Sequence, residues 1–501
     1  MTHKEKKMII ASNRLPFYRK KGKSGKDVWK KSAGGLITAI EPILLERGGI
    51  WVGWDGFFAP EPVKGEAVFV NVEEINPQKE GSAGRGKIYK LGCVPITESE
   101  SEGYYNRFSN GTLWALFHYF FEKSFIDYAG WRAYCEINKR FASSIDKIAG
   151  KKDIVWIQDF HLFLVPLYLR QKRPKQEIHF FLHIPFPHID IFSILPWQDT
   201  ILKSLLCCDT VGFHHKQYLR NFKRAAELYQ KRTESSKNTY FYVNPISVDF
   251  DLIDKTAREE CVLKRKEEIR RQTACRKMIV GVDRIDYSKG IKERLLAVEE
   301  LLKNHPELKE QFFYYQLVVP SRELVGTYKT LKKEIDEIIG RINGKFSTGL
   351  WSPIHYNYGT VPFEELIALY SSADVALVTP LRDGMNLVCK EFVAAHADND
   401  GVLVLSKFAG AIAEIKNCLA VNPYSIEDIA DAIYRALFMK KRERNNRMRK
   451  MRKNVQSHDI NVWLNNCLKY FEISRREKSE RKKKKKTPDR RAGKDKRKNK
   501  E

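Results

Sequence analysis

ADVALVTPLRDGMNLVCKE, from Ala373 to Glu391, opens with the unbroken apolar run Val375–Val378, the pattern of a strand covered on both faces. Thr379 and Pro380 end the run, Asp383-Gly384 makes a tight turn, and Asn386-Leu387-Val388-Cys389-Lys390-Glu391 reads as the first turns of a helix. Free backbone N–H groups at such a helix start point at whatever lies above the strand end and favour a negative or hydroxyl-rich ligand. Gly384 lets that ligand approach the backbone closely. Carboxylates at Asp383 and Glu391 would suit two neutral polyols, such as a sugar and a ribose. The plainer alternative is a helix-capping Asp and a surface Glu.

Working outward, GVDRIDYSKG (Gly281–Gly290) follows the apolar Met278-Ile279-Val280 and places Arg284 and Lys289 in one loop between glycines. Two fixed cations beside a strand end make a diphosphate site that stabilises a leaving group as its charge develops. The alternative, a solvated basic loop, loses weight because strands and helices alternate along the whole chain. Open parallel sheets bind ligands at the carboxyl ends of their strands.

A chain of 501 residues with 43% hydrophobic residues can bury two ordinary cores. It contains no run of 18 apolar residues, and the opening MTHKEKKMIIASNR is too short in apolar residues for a signal-peptide core, so a cytoplasmic protein is expected. Nine cysteines without a CxxC pair read as reduced core residues, and no metal or cofactor is expected. The net charge of +27 is unevenly placed: from Arg475 to the end there are 16 Lys or Arg against 5 Asp or Glu. This stretch has too few apolar residues to pack, so 474–501 is expected to be a disordered basic tail. Its charge suits weak contact with anionic partners, although without interleaved aromatics a solubilising role is the simpler reading.

In chain order, the first strand leads into SNRLP, with Arg14 just past its end. SAGGL brings Gly34 and Gly35 to a helix start, a second phosphate-cradling candidate that is weak alone. WVGWDG reads as a strand, and the aromatic helix Tyr104–Phe121, with Tyr105 and Trp114, reads as core. Asp159 and His161 follow the buried strand Ile154–Ile157, and His183 follows the next, so carboxylate and imidazole groups could face one cleft. Adjacent His214-His215 point different ways and make a poor metal site, and Asp249-Phe250-Asp251, formally a DxD, lies in a linker. Arg322 of VPSR follows the strand Phe313–Val319. The expected organisation is an N-terminal domain at 1–248, a second at 249–455, a helix at 456–473 and the tail at 474–501.

SNRLP, SAGGL, YYNRFSNGTLW, HIPFP, VDRIDYSKG, VPSR, RINGKF, LVTPLRDGMNLVCKE and GVLVLSKFAGA, in this order over roughly Met8–Phe471, resemble the trehalose-6-phosphate synthase family, glycosyltransferase family 20. The resemblance implies an α/β protein of the GT-B fold: two Rossmann-like, doubly wound domains facing across a cleft. It implies a retaining enzyme that moves glucose from a nucleotide-glucose, UDP-glucose first, to glucose 6-phosphate. By the same resemblance, Arg14 and Arg322 would hold the acceptor phosphate beside Tyr105, and Trp114 and Asp159 would line the acceptor sugar. Gly34 and Gly35 would lie on the donor diphosphate with Arg284 and Lys289. Asp383 and the backbone of Gly384, Met385, Asn386 and Leu387 would take the donor glucose, Glu391 the ribose, and His183 would sit by the donor glucose. Arg284, Lys289, Asp159 and His183 would form the catalytic set, without a nucleophilic carboxylate.

Some stretches depart from the family. Gln158-Asp159-Phe160-His161 and Asp55 differ from its usual pattern, and PHIDIFSILPWQD resembles glucosylglycerol-phosphate synthases, whose acceptor is glycerol 3-phosphate. A second alternative is a non-catalytic sugar-phosphate sensor or scaffold. The donor base and the presence of a homo-oligomer stay open at this point.

Overall fold

The apolar runs become central strands of two separate parallel sheets. The structure is a computed structural model and describes residues 6–21, 27–31, 35–60, 67–75, 89–234, 238–274, 276–321 and 326–486. The first sheet is built from β1 (Met8–Arg14), β4 (Gly49–Trp54), β5 (Val68–Asn71), β6 (Tyr89–Cys93), β7 (Ile154–Gln158), β8 (Glu177–Leu182), β9 (Thr210–Phe213) and β10 (Tyr240–Val243). Its order is β10-β9-β8-β7-β1-β4-β6-β5, parallel except for β5 against β6. Between β1 and β4 the chain makes a small antiparallel pair, β2 (Phe17–Lys21) and β3 (Asp27–Lys31). The second sheet holds β11 (Lys277–Arg284), β12 (Phe312–Val319), β13 (Ile354–Tyr358), β14 (Val375–Val378), β15 (Val402–Ser406) and β16 (Leu419–Val421), in the order β13-β12-β11-β14-β15-β16.

Helices cover both faces of these sheets, which is why β7 and β14 are buried along their whole length and carry no polar alternation. In each sheet the chain builds outward from one central strand, β1 or β11, and then returns to build on its other side. That reversal leaves a crevice at the carboxyl ends of the central strands. Arg14 ends β1, Arg284 ends β11, and the Asp383 turn follows β14, so the fold carries all three to crevices.

The chain passes between the domains twice. It leaves β10 through 244–249, and after the helix Lys441–Ser457 it crosses back, with the Ile460 N–H donating to the Val248 carbonyl at 3.0 Å. The final helix, Ile460–Lys486, therefore completes the first domain. Trp463 stacks on Trp156 at 5.6 Å, and its indole N–H donates to the Asn244 carbonyl at 3.1 Å. Phe471 stacks on buried His179 at 3.6 Å.

This helix also runs past 473, where the sequence reading ended it. Lys478 pairs with Asp209 at 2.5 Å, Ser474 donates to the Asp209 carbonyl at 3.1 Å, and Arg481 pairs with Glu477 one turn away. Acidic groups at the sheet edge thus hold the first part of the basic run in place; 487–501 lie outside the described residues. No helix among the described residues is long and apolar enough to cross a membrane. Trp463→Ala, which removes a fully buried ring from this crossover, is expected to destabilise the protein by ~3–5 kcal/mol. A urea midpoint unchanged from the parent would contradict that packing role.

Candidate active site in the interdomain cleft

On the first-domain side, the Asn-Arg turn after β1 is fixed from beneath. The Trp51 indole donates to Ser12 Oγ at 2.8 Å, the Ser12 hydroxyl donates to the Arg14 carbonyl at 2.6 Å, and the Tyr104 hydroxyl donates to Asn13 Oδ1 at 2.9 Å. The Arg14 guanidinium lies over the Trp54 ring at 3.8 Å and is 5.8 Å from the Tyr105 ring. Gly56, at φ +82°, turns the chain under it; a Cβ there would stand 2.9 Å from Arg14 Nη1. Asp55 pairs with Arg19 at 3.0 Å and accepts from the Phe57 N–H at 3.0 Å, although burial pushes its carboxyl above the ordinary value.

Arg14, Trp54 and Tyr105 line a cleft of about 1050 Å³ that Pro320 and Ser321 of the second domain close from the opposite side. Ser321 immediately precedes Arg322; Arg322 and Gly34 lie outside the described residues, and Gly35 opens the helix Gly35–Arg47.

Tyr105 belongs to a π-helical segment, Glu102–Trp114, where the sequence reading expected an ordinary core helix. Its wide turns suit a functional site, and they keep Tyr104, Phe108 and Trp114 buried while Tyr105 stacks on His161 at 5.7 Å. Trp114 is 6% exposed and directs its indole N–H to Asp286 of the second domain at 3.4 Å.

Asp159 holds φ +70°, a conformation uncommon outside glycine, and its carboxylate accepts from the His183 N–H at 3.2 Å. His183 Nε2 lies 2.9 Å from Gln158 Oε1, and burial pushes the imidazole down to about 3, so it is neutral at physiological pH.

The second-domain side is a cationic loop braced from below. Lys289, 9% exposed, lies 2.5 Å from Asp383 Oδ2. Burial alone would raise the Asp383 carboxyl, but Lys289 more than offsets it and holds the group below its ordinary value. Asp383 also accepts from Asn386 Nδ2 at 3.2 Å and from the Met385 N–H at 3.4 Å. Arg284 is exposed at the end of β11. Gly290, at φ +66°, lets the loop rest on the end of β14, where a Cβ would stand 2.2 Å from the Thr379 carbonyl oxygen. Glu391 accepts from the Tyr370 hydroxyl at 3.0 Å, and burial raises its carboxyl.

Sequence reasoning missed the support beneath this loop. Arg294, fully buried, pairs with Asp283 and donates to the carbonyls of Leu377 at 2.6 Å and Lys289 at 3.2 Å, tying the loop to β14. A lone arginine on the apolar face of ERLLAVEELL was the available signal. Of the residues weighed as metal motifs, Asp249 caps the helix Phe250–Thr256, His215 caps Lys216–Thr233, and His214 accepts from the Ile246 N–H at 3.2 Å.

The domains meet at the Asp383 turn. A Cβ on Gly384 would stand 2.2 Å from the His183 carbonyl oxygen, and one on Gly410 would stand 2.1 Å from the Gly384 carbonyl oxygen. Tyr218 donates its hydroxyl to the Asp383 carbonyl at 3.1 Å, and Lys390 reaches the Ile246 carbonyl at 2.8 Å. His118, absent from the sequence reading, is buried close to Asp286, Asp383 and Lys289, and burial pushes it down to about 4.

Buried histidines also set the acid response. His118, His179, His214 and His396 are all pushed below the ordinary 6.5, chiefly by burial. Each is neutral in the fold and gains a proton on unfolding below that value. Their contribution is therefore complete above pH 6.5 and is lost as pH falls toward each folded value; for His118, held at about 4, the loss is on the order of 1 kcal/mol per pH unit over that range. Urea denaturation at pH 7 and pH 5 should show a clear fall in stability; equal midpoints would contradict neutral burial.

Two Rossmann-like domains facing across a cleft, with cations at one strand end and a carboxylate turn at another, match the GT-B fold of a glycosyltransferase. The family model Glycosyltransferase family 20 matches residues 6–473, and the chain belongs to that family. A relative from Dictyostelium discoideum, "Alpha,alpha-trehalose-phosphate synthase [UDP-forming] A", is 38% identical over 466 residues, covering 91% of this chain; the chain spans 61% of that relative's length. A Burkholderia xenovorans α,α-trehalose-phosphate synthase (UDP-forming), solved in complex with glucose-6-phosphate, is similar with a TM-score of 0.81 and 30% identity, over 93% of this chain and 100% of its own. An E. coli structure described as trehalose-6-phosphate bound with UDP-2-fluoro glucose aligns with a TM-score of 0.80 and 32% identity, over 93% of this chain and 98% of its own.

Proposed function

We propose that this protein transfers glucose from UDP-glucose to glucose 6-phosphate with retention of configuration, forming α,α-trehalose 6-phosphate and UDP in the cytoplasm. The observation that carries the reading is the cleft in which Arg14, Trp54 and Tyr105 face Pro320 and Ser321 of the second domain. The solved relatives holding glucose-6-phosphate and UDP-2-fluoro glucose support both substrates.

Arg14, held flat on Trp54, takes the acceptor phosphate with Arg322, and Tyr105 limits the cleft beside them. Asp159 orients the acceptor sugar, while neutral His183 and ionised Asp383 face the donor glucose with the backbone of Gly384–Leu387. Glu391 takes the ribose, and Gly34 and Gly35 lie against the diphosphate. The bond from glucose C1 to the diphosphate oxygen breaks, and a bond from C1 to the acceptor O1 forms on the same face. The acceptor hydroxyl proton passes to the departing phosphate oxygen. Arg284 and Lys289 stabilise the charge that develops there, so the protein supplies orientation and leaving-group electrostatics.

The acceptor is decided by offering glucose 6-phosphate and glycerol 3-phosphate separately with UDP-glucose and following UDP release. Release with glucose 6-phosphate is expected. Release with glycerol 3-phosphate alone would reassign the acceptor, and silence with both would leave a sugar-phosphate sensor.

A further inference from the structure

We propose that Asp286 is a positioning residue through which the acceptor-side helix fixes Lys289 when the two domains meet. The inference rests on the functional reading above and deepens it. Asp286 is 2% exposed, and two of its contacts bind the backbone of the leaving-group loop itself. Its Oδ1 accepts from the Ser288 N–H at 2.9 Å, its Oδ2 accepts from the Tyr328 hydroxyl at 3.2 Å, and its backbone carbonyl accepts from the Lys289 N–H at 3.1 Å. A carboxylate bonded in this way to the backbone two residues on fixes the local turn. Lys289 then leaves the turn in one direction, toward Asp383.

The contact to Trp114 comes from the other domain. Its indole N–H reaches the same Oδ1 at 3.4 Å. Trp114 is itself held tightly, with His118 at 4.0 Å from its ring and Phe160 at 5.9 Å. Six residues further on, Phe120 meets the Tyr287 ring edge-on at 5.0 Å, so two successive loop residues are touched from across the cleft. Trp114 ends the π-helical segment whose Tyr105 lines the acceptor cleft. One rigid segment therefore touches the acceptor pocket near its start and the leaving-group loop at its end. This gives the occupied acceptor side a direct route to Lys289, a contact that exists only with the domains together. Asp286 touches neither substrate in this account; it acts through Lys289.

Trp114→Phe keeps the ring and removes the N–H, while Asp286→Asn keeps an oxygen for the Ser288 N–H and removes the charge. Each is expected to lower kcat by ~10-fold, with KM for both substrates within about twofold of the parent, and the double variant should be little worse than the poorer single. A raised acceptor KM at unchanged kcat in Trp114→Phe would make the indole a simple acceptor contact and overturn the proposal. So would losses that multiply in the double variant.

A readout independent of turnover is amide exchange in the full-length protein. Ser288 and Lys289 should exchange several-fold faster in Trp114→Phe than in the parent, and unchanged protection would overturn the coupling. Asp286→Ala serves the same measurement if Trp114→Phe does not fold. A parent enzyme silent with every acceptor would remove the functional reading, while amide exchange would still decide whether the clasp exists.

Discussion

Lys289→Ala should lower kcat by ~100-fold or more, the scale of removing one preorganised donor from a developing oxyanion. The ammonium is nearly enclosed, with its backbone tied to Asp286 and Arg294, so it is in place before charge develops on the departing phosphate. Water entering an alanine variant would have to be oriented during the reaction, which is the cost that preorganisation removes. The substitution also strips Asp383 of its partner at 2.5 Å and of the largest influence holding that carboxyl down, leaving burial opposed only by weaker partners such as Asn386. Arg284→Ala, at the exposed end of β11 just before the Lys289 loop, should lose a comparable factor without disturbing Asp383. Single-turnover UDP release separates the two effects from product dissociation. Activity within a few-fold of the parent in both variants would remove the leaving-group role.

Gly384→Ala should be equally damaging for a different reason. The His183 carbonyl oxygen would stand 2.2 Å from the new methyl, and the Ile184 Cα 3.0 Å, so backbone has to move on one side of the cleft. Separating the domains relieves the clash without unfolding either one. The expected result is therefore a loss of at least ~100-fold in turnover, the scale associated with displacing reacting groups by about 1 Å. The second domain, left intact, should still bind UDP, which calorimetry can measure. Full activity in this variant would mean that the domains do not approach at Gly384.

Much of this was legible along the chain because it is local. A continuous apolar run followed by a glycine turn and a helix start specifies a buried strand with a ligand end, and two such runs supplied Arg284 and Asp383, while Arg14 ends a third apolar run that turns into β2. What escaped reading depends on long-range packing. Nothing near Trp463 announces that its ring stacks on Trp156, so the last helix could not be assigned to the first domain from its own sequence. The run after Arg475 reads as too polar to fold, yet Asp209 and Glu177 hold its first turns in helix. Trp114 was expected at the acceptor sugar, and its N–H is found on Asp286; the two positions are adjacent only because the domains meet. The π-helical turns of Glu102–Trp114 and the buried Arg294 have causes that composition does not record.

The most direct test of the account is identification of the product formed from UDP-glucose and glucose 6-phosphate by the purified full-length protein, with UDP measured in parallel. The predicted result is an α,α-1,1-linked trehalose 6-phosphate, formed one for one with UDP. A β-linked disaccharide, free glucose as the main product, or no UDP release with any nucleotide-glucose would contradict it.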